Sequence, residues 1–375
     1  MVDLKALYRE TGSIPWVVGL SGGKDSTALT MLLLETIEAL PPPVRARKKV
    51  FVTCVNTLVE APPVIDHVHA FIARLQEYVR DRELPVEVVE LQPESDQTFW
   101  VNLIGRGYPT PYREFRWCTD RMKVRPAKRF IDERPEIFGS PPVVHFLLGT
   151  RFDESVARQA TMDANTNLGS DLHAHGTIPT AKVIRPIETW TTDDVWEHLL
   201  KPGWARGGTN PFLDINQELA LLYKDAASGE CPVVYDPSQQ TCAGSRFGCW
   251  TCTVVDVDNS LREMIATGGE RYDSQRLGML ADFRDDLMAE RNLPENRVQG
   301  RNRQGRVLVK RDGSMGVGPY TMDYRADVLE RVKALQEEVG QELITTEEVQ
   351  HIQRIWLEEE ANLAVVMHDR LEESA

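Results

Sequence analysis

Hydrophobic positions in the first third of the chain follow two alternating rhythms. Short runs rich in β-branched and aromatic residues at Trp16–Leu20, Val50–Val55, 85–91 and 143–148 read as strands. Longer stretches lie between them. Residues 27–40 are strong helix formers stopped by Pro41-Pro42-Pro43, and from Pro62 to about Arg80 the residues Val64, Val68, Phe71, Ile72 and Leu75 recur at helical spacing. Strands separated by helices predict βαβ units. The expected fold class is therefore α/β, with a mostly parallel sheet and right-handed crossovers.

Beyond residue 190 the rhythm changes. Residues 191–200 open with capping residues and predict a short helix, turn-rich sequence follows, and four cysteines then fall within 22 residues. Two further helices are expected near 325–339 and 346–360. The division expected is an α/β domain over 1–200, a cysteine-rich module over 201–270, and a basic loop with an acidic helical region over 271–375.

The hexapeptide Ser21-Gly22-Gly23-Lys24-Asp25-Ser26 sits between the first strand and the first long helix. Two glycines let a phosphate approach the backbone, and the free N–H groups of a helix start favour an anion. Lys24 adds charge; the hydroxyls of Ser21 and Ser26 can donate. A Walker loop would need Gly at position 18 and Ser or Thr at 25, where Val18 and Asp25 stand. At all six positions the loop resembles the PP-loop of the ATP pyrophosphatase family. That resemblance implies ATP with Mg²⁺, its β,γ-pyrophosphate held by the loop and its α-phosphate open to a substrate oxygen.

Gly149-Thr-Arg151-Phe-Asp-Glu154-Ser155 follows the fourth strand, at the edge where open α/β sheets bind ligands. Arg151 is a candidate phosphate partner, and Glu154-Ser155 can cap the next helix. This segment, together with Ile184-Arg185-Pro186-Ile187 and the Trp190 to Trp196 stretch, is similar to signatures of phosphoadenosine phosphosulfate reductase-like proteins. The similarity makes Arg185 a candidate contact to nucleotide or substrate. Relatives carry an Asp-Thr pair where this chain has Asn56-Thr57, which argues against a Mg²⁺ ligand at residue 56.

Cys118 lies in a stretch, 113–129, with seven Lys/Arg and two acidic residues. Neighbouring cations depress a thiol's pKa, so a reactive thiolate is expected there, whereas Cys54 inside an apolar strand is expected in the core. Cys231, Cys242, Cys249 and Cys252 follow the pattern C-x10-C-x6-C-x2-C. Four thiolates suit tetrahedral Zn²⁺ or an iron–sulfur cluster, and spacing alone does not choose.

Residues 246–255 with 260–265 resemble the sulfurtransferase component of bacterial DNA phosphorothioation, the DndC and SspD family. That resemblance spans most of residues 15–270. It implies a [4Fe–4S] cluster on the four clustered cysteines and Cys118 as sulfur carrier. DNA, a cysteine desulfurase and other proteins of the Dnd or Ssp system are the implied partners, and self-association is possible. Two enzymatic alternatives remain, an assimilatory sulfonucleotide reductase and a tRNA thiolase. A third alternative is a non-enzymatic nucleotide-binding scaffold in a DNA-defence complex.

The formal net charge of −14 disfavours a protein that coats nucleic acid unaided. Charge is nevertheless uneven. Segment 113–129 carries +5 and segment 291–311 carries +6, the latter with Asn and Gln between its cations, while residues 321–375 carry −9. Segment 291–311 is thus a candidate DNA contact in a loop or hairpin, and the acidic C-terminal helices are expected to form a solvated cap. No apolar run is long enough for a membrane span and no secretory leader is visible at Met1, so a cytoplasmic location is expected.

Overall fold

The structure is a computed structural model that describes residues 2–154, 171–174, 180–226, 247–301, 306–309, 313 and 315–372. Ser155, Cys231 and Cys242, all singled out above, lie outside the described residues, as do Arg303, Lys310 and Arg311.

Strands β1 (Trp16–Leu20), β2 (Val50–Val55), β3 (Val86–Leu91), β4 (His145–Leu147) and β6 (Lys182–Ile184) run parallel, and the two-residue β5 (His173–Ala174) pairs antiparallel at one edge. Their spatial order is β3-β2-β1-β4-β6-β5. The α/β expectation holds. β1 and β2 are covered on both faces, which is why their sequences are apolar throughout and do not alternate.

Helix α1 (Leu4–Glu10) packs beside the sheet, and α2 (Lys24–Ala39) is buried nearly all round through Leu29, Met31, Leu33, Leu34 and Ile37. Helix α3 (Pro62–Asp81) starts with two prolines in its first turn and buries Val64, His67, Val68, Phe71, Ile72, Leu75 and Tyr78, the stripe its spacing foretold. Helix α4 (Thr192–Leu200) begins with a capping box: Thr191 accepts from the Asp194 N–H, and Asp194 accepts from the Thr191 N–H. Helix α5 (Leu213–Asp225) completes this layer.

A second apolar core lies off the sheet. Val101, Leu103 and Ile104 of a π-helical turn (Val101–Gly105) meet helices α6 (Asn259–Thr267), α7 (Ser274–Glu290), α8 (Met322–Val339) and α9 (Thr346–Glu372). The C-terminal helices are therefore not simply a solvated cap, because Val328, Leu329, Val332, Leu335 and Ile352 are buried in this core. Most of their acidic residues occupy the other face, while Glu348 is 5% exposed and accepts from the Thr345 N–H at 2.8 Å. Helix α7 is absent from the expectation above. Phe247 and Tyr272 pack against both cores and join them.

The segment after α7 forms a hairpin of β7 (Arg297–Gln299) and β8 (Val317–Tyr320). Two of its cations serve structure. Arg297 is 6% exposed and donates to Gly318 O and Arg291 O, while Arg291 donates to Pro111 O and Thr253 O. Arg301 and Arg306 are exposed and remain candidates for an anionic partner. Among the described residues, no helix is long and apolar enough to cross a membrane.

At the opposite end of the sheet Lys48 is 3% exposed. Its ammonium lies 4.4 Å from the Tyr8 ring centre and 4.7 Å from that of Trp16, and it donates to the Thr11 hydroxyl. Burial pulls its pKa from 10.5 down to about 8. Between those values the unfolded chain binds the extra proton, so this residue's contribution to stability is lost as pH falls through about 8. Chemical denaturation at pH 7.5 and 9.5 is expected to show stability rising by roughly 1–3 kcal/mol in the native chain, with most of that rise gone in Lys48→Met. Equal slopes in the two proteins would contradict this assignment.

Candidate active site

β1 delivers Ser21–Ser26 to the carboxyl edge of the sheet, and α2 begins at Lys24 with Gly23 as its N-cap. Gly23 offers no side-chain cap, so the first amides of the helix are left for other acceptors. Neighbouring elements enclose the loop tightly. Gly22 has φ +76°, and a Cβ there would lie 2.2 Å from Val68 Cγ2 on α3. A Cβ on Gly149 would lie 2.9 Å from the Asp25 carbonyl. Both glycines are required by close approach.

Inside the loop, Ser26 donates to Gly23 O at 2.9 Å and accepts from the Ser21 N–H at 3.1 Å. The Ser21 hydroxyl lies 3.1 Å from that of Ser26 and, since the Ser26 proton is committed, is the donor of the pair. The two serines thus brace the turn. Lys24 Nζ lies 3.1 Å from one oxygen of Asp25, and Arg151 Nε lies 2.6 Å from the other.

Arg151 is 2% exposed and also donates to Trp190 O at 3.0 Å and Thr192 Oγ1 at 3.3 Å. The sequence suggested a phosphate partner; the structure makes it the residue that fixes the loop through Asp25. Arg185 stands at the end of β6, 4% exposed, with Nε 3.7 Å from Glu188 Oε2. Glu154 closes a single turn of 3₁₀ helix on the same edge. Asn56 donates to Glu90 at 2.8 Å and accepts from the Leu58 N–H at 2.9 Å.

The thiols gather beside the end of β2. Cys249 pairs with Glu60 in an antiparallel bridge, with the Trp250 N–H donating to Val59 O at 3.0 Å. The Cys252 N–H donates to Cys249 O at 3.0 Å, which closes the C-x-x-C turn. Thr57 Oγ1 lies 3.2 Å from Cys249 Sγ. Because the Thr57 hydroxyl proton goes to Glu60, the Cys249 S–H is the donor to Thr57. Burial accordingly pushes the Cys249 thiol up to about 12. Cys54 is held in the core of the sheet, its thiol likewise raised to about 12.

Cys118, on a single helical turn (Trp117–Thr119), packs against the same apolar core as Cys249. The expected depression of its pKa is not found. Burial raises it, the nearby Cys252 raises it further, and Lys123 lowers it only in part. Charge counted along the chain misleads here because burial outweighs it, and because three of the seven cations are held by carboxylates: Arg125 pairs with Asp120, Lys128 with Asp132, and Arg129 with Glu94. Glu94, Arg121, Arg125, Lys128, Arg129 and Asp132 line a surface cavity of about 340 Å³. Among the described residues, no group of three or more His, Cys, Asp or Glu side chains could hold a metal ion.

Thr57, Glu60, Lys123 and Tyr223 belong to the site without having been singled out from the sequence. The Thr57-x-x-Glu60 spacing is a capping-box pattern that signals a self-contained turn, and nothing in the sequence marks Tyr223. Replacing Gly22 by Ala is expected to cost about 2–4 kcal/mol, combining the strain of a positive φ with overpacking against Val68. Adding Val68→Ala should recover part of that loss. Denaturant melts of the two single variants and the double variant measure the coupling, and strict additivity would rule out the contact.

Residues 15–255 match the phosphoadenosine phosphosulfate reductase domain. An uncharacterized protein of Methanocaldococcus jannaschii is 26% identical over 189 residues, half of this chain and 32% of that protein, so the chain spans about a third of this curated relative's length. Among solved structures, a phosphoadenylyl-sulfate reductase from Candida auris, in complex with phosphate, aligns with 56% of this chain and 82% of its own at 13% identity and a TM-score of 0.34. The U34-tRNA thiolase NcsA from Methanococcus maripaludis, with its [4Fe-4S] cluster, aligns with 77% of this chain and 80% of its own at 14% identity and a TM-score of 0.32. With a family match over well above half its length and the glycine loop at the carboxyl edge of a parallel sheet, the chain belongs to the phosphoadenosine phosphosulfate reductase domain family.

Proposed function

We propose that this chain is an ATP-dependent sulfurtransferase that places sulfur in the backbone phosphates of DNA. One observation carries the reading: the segment from residue 56 to 68 holds both chemistries. Glu60 pairs with Cys249, and Val68 packs against Gly22 of the glycine loop. From Pro62 to Val68 the helix rises only about 9 Å. A nucleotide on the loop and a sulfur carried near Cys249 are therefore neighbours.

In this mechanism ATP, accompanied by Mg²⁺, lies with its pyrophosphate portion on the amides of Ser21–Ser26 and beside Lys24. Arg151 fixes Asp25, and Arg185 stands at the end of β6 on the same sheet edge. A non-bridging oxygen of a DNA phosphate attacks the α-phosphorus, and pyrophosphate leaves. Cys118, loaded as a persulfide by a cysteine desulfurase, then attacks the activated DNA phosphorus through its outer sulfur, and AMP departs with the oxygen. A thiol reductant supplies two electrons to cleave the remaining S–S bond, leaving the phosphorothioate. Burial around Cys118 keeps water from competing for the activated phosphate.

Cys231, Cys242, Cys249 and Cys252 would make an all-thiol donor set, and the closed Cys249–Cys252 turn fits such a centre. Together they would hold a [4Fe–4S] cluster, which supplies electron-transfer capacity or a fixed scaffold when bound. DNA itself is supported by the resemblance of residues 246–255 to phosphorothioation sulfurtransferases, and Arg301 and Arg306 add positive charge to an exposed surface. Other proteins of a Dnd or Ssp system would complete its presentation.

Mass spectrometry of nuclease-digested DNA from cells carrying the complete system is expected to show phosphorothioate dinucleotides. Lys24→Ala should lose both these products and pyrophosphate release, whereas Cys118→Ser should keep pyrophosphate release and lose only the products. Phosphorothioates absent with the native chain, or unchanged in Cys118→Ser, would sink the proposal.

A further inference from the structure

Tyr223 reaches the glycine loop from the last turn of α5, a helix that shares a core with α2. It is 199 residues from Lys24 in sequence, yet the Lys24 N–H donates to its hydroxyl at 3.2 Å. The same hydroxyl lies 3.2 Å from where a Cβ on Gly23 would stand, and the Lys24 ammonium is 5.3 Å from the centre of its ring. That amide is one of the first donors of α2. It is the kind of group a bound phosphate oxygen takes over, and the phosphate's bond would be charge-assisted where the tyrosine's is neutral.

The ring has equally specific neighbours. It meets Trp196 edge-on at 5.3 Å and Phe247 edge-on at 4.6 Å between ring centres. Phe247 stands two residues before Cys249 and packs against both cores. A change in the position of the Tyr223 ring is thus felt directly by the chain entering the Cys249–Cys252 turn. Bulk on this side leaves little room for the ring to move without Phe247, because Tyr223 is only 5% exposed.

We infer that Tyr223 is a positioning residue that competes with phosphate for the Lys24 amide and, through Phe247, ties occupancy of the glycine loop to placement of the Cys249–Cys252 turn. This rests on the nucleotide reading above. A phosphate oxygen at the amide displaces the hydroxyl, and the ring then settles differently against Phe247. Linkage makes the effect reciprocal: whatever fixes the thiol turn shifts nucleotide affinity by the same factor by which nucleotide shifts the turn. Displacing the hydroxyl also lowers apparent affinity, since only the fraction of molecules with the amide free receives phosphate.

Tyr223→Phe keeps the ring and its packing and removes only the competing oxygen. Binding of α,β-methylene-ATP, whose α–β bridge cannot release pyrophosphate, with Mg²⁺ to the full chain, followed by calorimetry, is expected to tighten three- to tenfold in this variant. A purely structural role for Tyr223 predicts the opposite sign. Hydrogen exchange supplies the second readout. In the native chain the analogue should alter exchange over residues 247–252 as well as over the loop; in Tyr223→Phe the loop should respond and residues 247–252 should not. Unchanged or weakened binding in Tyr223→Phe, or an equal response of residues 247–252 in both proteins, overturns the coupling. The nucleotide reading itself is judged separately: it stands if Lys24→Ala abolishes binding to the native level of detection, and both fall if the native chain does not bind the analogue.

Discussion

The contact on which the site depends is the pair between Asp25 and Arg151. Asp25 occupies the second position of α2, and its two carboxylate oxygens face different cations: Lys24 from the loop itself and Arg151 from the chain leaving β4. Arg151 is buried and further committed to Trp190 O and Thr192 at the start of α4. One carboxylate thereby joins three segments that lie far apart in sequence. Removing it would take from a buried guanidinium one of its two carboxylate partners, Asp25 and Asp153, which costs more than losing an exposed ion pair. The close approach of Gly149 to the Asp25 carbonyl belongs to the same joint, for the backbone must come this near if the Arg151 side chain is to reach. A loop held in this way presents its amides in a fixed geometry, the preorganisation that electrostatic recognition of phosphate requires.

The thiol region is organised by a different principle. Its residues rest on a core built from the π-helical turn after β3 and the C-terminal helices, and this core touches the sheet core mainly through Phe247 and Tyr272. Tyr272 is fixed there by the buried Asp225, to which it donates at 3.0 Å and with which Arg271 also pairs. Raised thiol pKa values follow from this placement, since burial disfavours a thiolate wherever no cation compensates. Lys123 is the compensating charge that Cys54, Cys118 and Cys249 all feel, and at each of them it is outweighed by burial.

Local sequence made the fold legible and left much of the site hidden. β1 and β2 were evident because strands buried on both faces read as unbroken apolar runs, and α3 because its stripe is regular. The glycine loop was evident because phosphate binding needs particular residues in consecutive order. Functions that depend on distant partners were not. Arg151 read as a phosphate ligand because its partner Asp25 is 126 residues away, and Cys118 read as activated because the core that buries it is assembled from distant segments. The acidic composition of the C-terminal helices likewise concealed the apolar stripe of Val328, Leu329, Val332 and Leu335.

Two links of unequal stiffness connect the loop to the thiols. Through α3, the connection is backbone pairing at Glu60 and Cys249 followed by a rigid helix to Val68, an arrangement with little freedom to adjust. Through Tyr223, it is one neutral hydrogen bond of 3.2 Å and an edge-on ring contact, which a charged ligand readily replaces. In the proposed reaction the stiff link sets the distance across which sulfur and phosphate meet, while the soft one responds to what the loop holds. A site that has to bring two reagents together in order is served by that division, because the geometry of encounter stays constant while the local fit of the thiol turn changes with occupancy.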